Sequence, residues 1–299
     1  MIGASVAVIV VAHNGGGMLS GCIDALRATQ NADFEIVLVD NASSDGSVEA
    51  CREHVDALVS LPTNRGFAGG ANAGIDYHVR RRAPASVYAL VNQDCRVAPD
   101  WLAPLVGRLR DDSRVAVAGA RIYEEDGRTL QHAGATIAAN GLTEHLGRGS
   151  SDDLAHREPC DVDYVTGAVC AFTRETWQAH GPFDERYFPA YFEEVDFCVR
   201  LRKAGLRIVY EPRSEAVHGE ASVLGRQTAG YLRAYHNNRM RFAATHLLVR
   251  GHILAALHAE LTWLCSRRSA AEVRPTLSAY LSLPRLVRES LRERASLRP

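Results

Sequence analysis

The stretch EIVLVDNASSDGS (residues 35–47) decides the fold, because it changes abruptly from apolar residues to turn-forming ones. Its apolar half is typical of a β-strand that is buried on both faces. Its polar half is typical of a tight turn before a helix, which Asn41 and Ser43 are placed to cap. Asp40 then stands at the carboxyl end of a strand, where its carboxylate either serves this turn or binds a nucleotide base or ribose.

The same alternation recurs over the first 120 residues. Apolar runs predict strands at residues 5–12, 35–40, 57–61, 86–92 and 115–120. Amphipathic segments between them predict helices at about residues 18–30, 44–54, 68–82 and 99–110. Strands and helices in strict succession require right-handed crossovers, so we predict an α/β fold with a mostly parallel central sheet flanked by helices.

The rest of the chain departs from this alternation. Residues 121–163 are Gly-rich and predict hairpins or a mobile flap. Residues 164–177 predict a strand that enters a short helix, with Thr173 as its N-cap, and residues 206–212 predict a further strand. After Gln227 the pattern is helical.

The composition is that of an ordinary soluble globular protein, with 46% hydrophobic and 23% charged residues. The net charge of -1 gives no signal for nucleic acid, and we expect no such partner. Seven cysteines without a CxxC pair indicate reduced thiols in a cytoplasmic protein. The apolar N-terminus lacks a basic region before it and predicts a first strand, not a signal peptide. No segment reaches the roughly 20 uninterrupted apolar residues of a membrane span.

Polar residues follow four of the predicted strands. In open α/β sheets, ligands bind outside the carboxyl ends of the strands, so these residues converge on a candidate crevice. The four stretches are HNGGG (13–17), DNASSDGS (40–47), TNRGFAGGANAG (63–74) and NQDCR (92–96). The third has four glycines at a loop-to-helix junction, where backbone can approach a phosphate. This stretch matches neither the GxGxxG motif nor a P-loop, and by itself it is weak evidence for a nucleotide-binding site.

Two further positions offer ligands for a metal ion. Asn92 and Asp94 follow a central strand two residues apart, which suits either a hard divalent cation or an ordinary Asx turn. His218 follows the late strand. It is either a structural or surface histidine, or a direct or second-sphere ligand of the cation at Asp94.

The stretch FEEVDFCVRLRKAG (192–205) places several acids at the start of a helix. Helical projection puts Glu193, Asp196, Arg200 and Lys203 on a solvated polar face, with Asp196 and Arg200 at ion-pair spacing. Glu194 falls on the apolar side. Apolar surroundings raise the pKa of a carboxyl group, which suits a general base, whereas the alternative is a simple helix-dipole interaction.

Taken together and in order, these motifs resemble those of the family-2 glycosyltransferases of the GT-A fold, especially the rhamnosyltransferase-like branch. The resemblance extends from residue 5 to VHGEAS (217–222). It implies a catalytic domain over residues 1–226, divided into a nucleotide-binding half (1–120) and an acceptor half (121–226). Residues 227–299 form a helical extension.

The resemblance also implies roles for individual residues. Asp40 holds the base of the donor, and Arg65 and Asn72 line the nucleotide pocket. The full set of donor-binding residues is Ala12, Asn14, Asp40, Asn41, Arg65, Gly66, Gly70, Asn72, Asn92 and Asp94. Asp94 ends a DxD-type motif in which Asn92 replaces the first acid, and it shares Mg²⁺ or Mn²⁺ with His218. The catalytic base is Glu194 or Glu193, since Glu193-Glu194 replaces the commoner Glu-Asp pair.

The implied reaction is inverting transfer of a sugar, such as rhamnose, from a dTDP- or UDP-linked donor. The acceptor is a hydroxyl of a glycan or lipid-linked saccharide in cell-surface polysaccharide synthesis. Eight Arg against three Glu after Cys265 indicate either contact with the inner face of an anionic membrane or a helical cap that packs or dimerises. The rival functions are a sugar nucleotidyltransferase and a non-catalytic nucleotide-sugar-binding protein.

Overall fold

The computed structural model describes residues 5–81, 83–151, 154–219, 228–248, 253–266 and 270–296. The chain divides into two compact units. The first unit comprises residues 1–136, 145–186 and 193–220, and the second comprises residues 137–144, 187–192 and 221–299. The domain boundary at residue 226 and the last three residues of VHGEAS lie outside the described residues, and the domain division stays a prediction.

The described part of the chain contains twelve strands. They are β1 (Val6–Ala12), β2 (Phe34–Asp40), β3 (Ala57–Ser60), β4 (Val87–Asn92), β5 (Cys95–Val97), β6 (Val115–Tyr123), β7 (Leu130–His132), β8 (Ala135–Ile137), β9 (Thr143–His145), β10 (Cys160–Asp161), β11 (Val169–Thr173) and β12 (Arg207–His218). Ten form one sheet in the order β10-β12-β6-β11-β4-β1-β2-β3, with β5 on β12 and β7 on β6; β8 and β9 pair separately.

The first half of the sheet is parallel, and its register aligns the strand ends. β1 lies between β2 and β4, with Ala12 opposite Asp40 and Val11 opposite Asn92. β11 runs antiparallel between β4 and β6. β1 and β4 are buried along almost their whole length because helices cover both faces.

Among its described residues, the first unit has six α-helices. They are α1 (Gly16–Arg27), α2 (Ser47–Cys51), α3 (Gly66–Val79), α4 (Leu102–Asp111), α5 (Arg174–His180) and α6 (Glu193–Lys203). The predicted N-cap of α5 is confirmed: Thr173 Oγ1 accepts the backbone N–H of Thr176 at 3.1 Å. The predicted cap of the helix after DNASSDGS is wrong. Asp45 accepts the N–H of Ser47 at 3.0 Å, because α2 begins later than either Asn41 or Ser43 could reach.

The second unit contains α7 (Ala229–Phe242), α8 (Ile253–Cys265), α9 (Ala270–Tyr280) and α10 (Leu283–Ser296). Its centre is a buried ion pair. The fully buried guanidinium of Arg239 on α7 donates to both carboxylate oxygens of Glu260 on α8, each at 2.7 Å. Glu260 also accepts from Asn140 at 2.7 Å and from the hydroxyl of Tyr280. Within the described ranges, no helix combines the length and apolar character that crossing a bilayer requires.

The segment 187–192 belongs to this helical unit as well. Tyr191 and Phe192 both have left-handed backbone, with φ of 80° and 78°. The amide of Asn238 on α7 donates to the carbonyls of Ala190 at 2.9 Å and Tyr191 at 3.1 Å. Such strained conformations persist only where surrounding contacts hold them, and here α7 supplies those contacts.

The predicted fold class is confirmed. Each strand predicted in the first 120 residues is present, with ends within three residues of the expected ones. The predicted strand at 206–212 is longer, because β12 continues to His218, and residues 121–163 form short strands.

Candidate active site

The register of the parallel strands brings Ala12, Asp40 and Asn92 to one edge of the sheet. Asn41 donates its backbone N–H to the carbonyl of Ala12 at 2.8 Å, which closes the first two loops together. Asp40 is half-buried, and its Oδ1 accepts the N–H of Ser43 at 2.8 Å. This hydrogen bond forms an Asx turn, which stabilises the loop and leaves the Asp40 side chain at the edge of the sheet.

The exposed Asn14 has left-handed backbone, with a φ of 51°. Its backbone N–H donates to Ser43 Oγ at 3.2 Å, and its Oδ1 accepts the N–H of Ser44 at 2.8 Å. The loops after β1 and β2 therefore form one connected rim.

Two of the predicted donor-binding residues, Asn41 and Asn72, are buried and form hydrogen bonds with neighbouring segments. Asn41 is buried, donates to the carbonyl of Gly66 at 3.0 Å and accepts the N–H of Arg65 at 2.8 Å. Asn72 is buried and exchanges hydrogen bonds with the backbone of Phe183, both at 3.0 Å. With these polar groups already occupied, direct contact of Asn41 or Asn72 with a donor stays a prediction.

Three further predicted donor-binding residues have different surroundings: Gly66, Gly70 and Arg65. Gly66 has a φ of 71°, the left-handed region that glycine adopts without cost. A Cβ on Gly70 would lie 2.4 Å from Cγ1 of Val11, so Gly70 allows α3 to pack on β1. Arg65 is 41% exposed and forms an ion pair with Glu185 at 2.6 Å. Roles for Gly66, Gly70 and Arg65 in donor binding stay predictions.

The sequence analysis missed Gln93, which lies in the turn between β4 and β5. Its side chain accepts the N–H of His13 at 2.9 Å and donates to the carbonyl of His13 at 3.3 Å. Gln93 thereby fixes the loop after β1 against NQDCR. The one indication of such a role in the sequence was the position of Gln93 between Asn92 and Asp94.

Asp94 and His218 are brought together by the antiparallel pairing of β5 and β12, in which His218 lies opposite Cys95. The distance from Asp94 Oδ1 to His218 Nε2 is 3.1 Å, and the two side chains are 8% and 11% exposed. His218 Nδ1 lies 2.6 Å from Oε1 of Gln131. Nε2 is therefore the ring nitrogen that faces the carboxylate, and a nitrogen and an oxygen at this distance can be shared ligands of one cation.

The neighbouring groups fit a cation on the carboxylate–imidazole pair. Asn92 Oδ1 is shielded from solvent and has no hydrogen-bond partner among the described residues. Cys95 Sγ lies within the same group of candidate ligand atoms, but the thiol donates to the carbonyl of Ala168 at 3.5 Å. Burial holds the pKa of Cys95 well above its usual value, and a soft thiol is a poorer match for a hard cation than a carboxylate or an imidazole. The candidate oxygen and nitrogen ligands for a hard cation are Asp94 and His218, with the Asn92 oxygen close by in sequence.

Glu194 lies at the start of α6, half-buried, with its Oε2 shielded from solvent and without a hydrogen-bond partner among the described residues. Burial raises the pKa of Glu194 to about 7. The backbone N–H groups of Glu194, Val195 and Gly167 donate to the carboxylate and oppose this rise. A carboxyl group that titrates near neutral pH and keeps one oxygen free suits a general base.

The predicted solvated face of α6 is wrong for two of its four members. Glu193 and Asp196 are only 3% and 4% exposed, because the helix packs more of its circumference than the projection assumed. The Asp196–Arg200 ion pair is present, with Nε and Oδ2 2.8 Å apart. Lys203 is exposed as expected.

One turn connects the two candidate groups. Gly167 donates its N–H to Glu194, and the next residue, Ala168, accepts the backbone N–H of Asn92 at 2.9 Å. Consecutive residues therefore contact the carboxylate at α6 and the strand that carries the Asp94 motif. The sequence analysis gave Gly167 no role.

The mostly parallel sheet with its flanking helices is the GT-A fold, the fold class of many glycosyltransferases. The crystal structure of GalNAc-T7 with UDP, GalNAc and Mn²⁺ is similar in fold: it aligns with a TM-score of 0.66 at 16% identity, over 99% of this chain and 58% of that one. The chain belongs to glycosyl transferase family 2, whose family model matches residues 7–179.

Two curated relatives are similar in sequence. An N-acetylglucosaminyl-diphospho-decaprenol L-rhamnosyltransferase of Mycobacterium tuberculosis is 27% identical over 79% of this chain and 83% of its own length. An uncharacterised protein y4gI of Sinorhizobium fredii is 31% identical over 70% of this chain. The matched region is 24% of that longer protein.

Proposed function

We propose that this chain is an inverting glycosyltransferase that moves a sugar from a nucleoside diphosphate to a hydroxyl group. The observation that carries the proposal is the carboxylate of Glu194, which is held by three backbone N–H groups, has a pKa raised to about 7 and keeps Oε2 free. A protein that only binds a sugar nucleotide needs no such base. Family membership argues against a sugar nucleotidyltransferase.

The donor is a dTDP- or UDP-linked sugar, and we propose L-rhamnose as the sugar. The name of the Mycobacterium tuberculosis relative supports this choice, and the UDP complex of the structural neighbour supports a nucleoside diphosphate. Asp40 and Asn14 lie on the rim where the base and ribose would bind. The acceptor is a saccharide of a cell-surface glycan, carried on a lipid.

Asp94 and His218 would hold a divalent cation, for which an imidazole ligand favours Mn²⁺ over Mg²⁺. The bound cation would neutralise the negative charge that develops on the departing diphosphate. The residues of this chain set its position: Asp94 through the turn after β4, and His218 through the end of β12.

The proton and bond changes balance as follows. The acceptor O–H gives its proton to the Glu194 carboxylate, and its oxygen forms a bond to the anomeric carbon. The bond from that carbon to the diphosphate oxygen breaks on the opposite side, which inverts the anomeric configuration. Positioned proton transfer is worth about 10²–10⁴ in rate, and correct alignment of the reactants adds to it. Glu193, the other candidate base, is more deeply buried.

The test begins with a thermal-shift screen of nucleoside-diphosphate sugars with and without Mn²⁺, since stabilisation follows affinity. The sugar that stabilises most is then incubated with enzyme, and slow hydrolysis is followed by nucleoside-diphosphate release. NMR of the freshly released sugar should show the anomer opposite to that of the donor. Retained configuration would exclude the inverting mechanism, and binding without any turnover would indicate a binding protein.

We also propose that α8 rests on the cytoplasmic face of an anionic membrane, where a lipid-linked acceptor is found. Its exposed side chains include Ile253 (45% exposed), Leu254 (78%), Leu257 (51%) and Leu261 (61%). The one charged residue of α8, Glu260, is engaged with Arg239. Four large apolar side chains without an exposed charge suit the boundary between headgroups and acyl chains.

The charge of the flanking sequence favours a membrane over a second copy of the chain. Arg250 precedes α8 in the sequence, and Arg267 and Arg268 follow it. On α10, Arg285, Arg288 and Arg292 are exposed. Basic residues near a membrane attract anionic headgroups, by about 1 kcal/mol for each one near the surface, whereas two like-charged copies repel.

A further inference from the structure

Gln131 on β7 is a buried amide that the proposed reaction does not use directly. It is 3% exposed and has three hydrogen-bond partners around it. Its Nε2 lies 3.0 Å from Glu124 Oε2 and 3.2 Å from the backbone carbonyl of His218, and its Oε1 lies 2.6 Å from His218 Nδ1.

These contacts fix the orientation of the amide. A carboxylate and a carbonyl can only accept, so the amide nitrogen must face both of them and the amide oxygen must face the ring. An oxygen facing Nδ1 at this distance requires the proton on Nδ1. Nε2 is then the ring nitrogen left to face Asp94 Oδ1, 3.1 Å away, and it can bind a cation there when it carries no proton.

We propose that Gln131 is a positioning residue that holds the Nε2 lone pair of His218 toward the cation shared with Asp94. The inference rests on the proposed metal role of Asp94 and His218. In this proposal Gln131 sets the tautomer and the ring orientation of His218 without itself contacting the cation or the donor. Partners of this kind typically change metal affinity about 10–100-fold when they are removed.

The test compares Gln131→Met with Asn140→Leu. Both replace a buried amide by an apolar side chain of similar size, but Asn140 lies in the other unit, bonded to Glu260. Mn²⁺ binding to the full chain is measured by electron paramagnetic resonance, with Mn²⁺ alone and with Mn²⁺ plus UDP. We expect about 10–100-fold weaker binding in Gln131→Met and wild-type binding in Asn140→Leu, with melting temperature recorded for both.

A charge-conserving exchange separates positioning from packing. In Glu124→Gln/Gln131→Glu the amide and the carboxylate trade places, so the group at 131 still accepts from Nδ1 and still pairs with position 124, while the hydrogen bond to the His218 carbonyl is lost. We expect this double variant to bind Mn²⁺ within about threefold of wild type, a range that the proposal requires because the acceptor is retained. Should Gln131→Met fail to fold, Gln131→Leu is measured in its place, with the same expected loss of Mn²⁺ binding.

The results of this experiment distinguish failure of the Gln131 proposal from failure of the proposed function. If the wild-type chain binds no Mn²⁺ with or without UDP, the metal assignment itself is wrong. If the wild-type chain binds Mn²⁺ and Gln131→Met binds it equally well, Gln131 has no positioning role. A loss in Gln131→Met that the exchange does not restore would overturn the hydrogen-bond argument and leave a packing role.

Discussion

Glu194 and Gly167 are joined by a hydrogen bond from the backbone N–H of Gly167 to the Glu194 carboxylate. The carbonyl of the next residue, Ala168, accepts from Asn92 at 2.9 Å and from the thiol of Cys95 at 3.5 Å. The segment before β11 therefore holds the start of α6 on one side and the NQDCR turn on the other. Adjacent peptide groups thereby keep a fixed separation between the proposed base and the proposed cation site, which direct displacement at one carbon requires.

Replacing Glu194 by Gln removes the proton acceptor while keeping the size of the side chain. We expect sugar transfer and donor hydrolysis to fall about 10²–10⁴-fold. Binding of the nucleoside diphosphate, measured by isothermal titration, should stay within about twofold, because the proposed partner of Glu194 is the acceptor and not the donor. Glu193→Gln is the comparison variant. A larger loss in Glu193→Gln than in Glu194→Gln would move the base to the neighbouring residue.

The activity should depend on pH through Glu194. Its pKa is raised to about 7, and the base works only when ionised, so kcat/KM should fall about tenfold for each pH unit below 7 and level off above it. The stabilising effect of the raised pKa has the opposite pH dependence. It is complete below the ordinary value of 4.5 and is lost as pH rises through 7. A rate profile from pH 5 to 9 checks the first statement, and a flat profile would contradict it.

Asp94→Asn should remove the stabilisation that Mn²⁺ gives in the presence of UDP. The neutral amide is a poorer ligand for a hard cation, and binding at about 100 times the Kd is worth about 2.7 kcal/mol. Thermal melts with Mn²⁺ and with EDTA measure the difference. Glu125→Gln removes an exposed carboxylate paired with Arg96 and serves as the control. An equal Mn²⁺ effect in wild type and Asp94→Asn would place the cation elsewhere.

The parallel half of the fold could be predicted from the sequence because strands buried on both faces are continuous apolar runs. Asp40 and Asn92 could be placed at one edge for the same reason: alternating strands and helices force a common direction. The role of β12 was harder to predict. Its pairing with β5, which brings His218 to Asp94, joins residues more than 120 positions apart, and no local pattern encodes that contact.

Contacts between polar side chains and the backbone also could not be predicted from the sequence. Asn41 and Asn72 occur in loops that suit ligand binding, yet their amides bond to the neighbouring segments. Helical projection could not show that Glu193 and Asp196 are covered, since it reports direction and not what lies opposite. Gln131 gave no signal, because a single amide within a short strand has no periodic partner.

Gly70→Ala tests whether that glycine serves packing. A Cβ would lie 2.4 Å from Val11 Cγ1, so we expect a loss of about 1–3 kcal/mol in the free energy of unfolding. Gly107 on α4 is the matched control, because its Cβ would meet nothing within 4 Å. Gly107→Ala should stabilise the protein by about 0.5–1 kcal/mol through helix propensity. Urea unfolding measures both, and equal effects would show that α3 does not require the glycine.

The membrane proposal is tested by replacing Leu254, Leu257 and Leu261 on α8 together by Gln. Each side chain is more than half exposed, so the folded state should lose little stability, whereas the apolar area offered to lipid falls sharply. In flotation with vesicles of phosphatidylglycerol and phosphatidylcholine, we expect wild-type protein to float and the triple variant to bind at least about tenfold more weakly. Leu281→Gln, at an 84% exposed leucine outside α8, is the control.

Two results would contradict that proposal. Equal flotation of wild type and triple variant would show that α8 does not contact lipid. A wild-type dimer in analytical ultracentrifugation that the triple variant loses, without flotation of either, would assign the apolar side of α8 to a second copy of the chain. Raising the salt concentration separates the two contributions to lipid binding. The attraction of the arginines weakens with ionic strength, whereas the insertion of the leucines does not, so residual binding at high salt measures α8 itself.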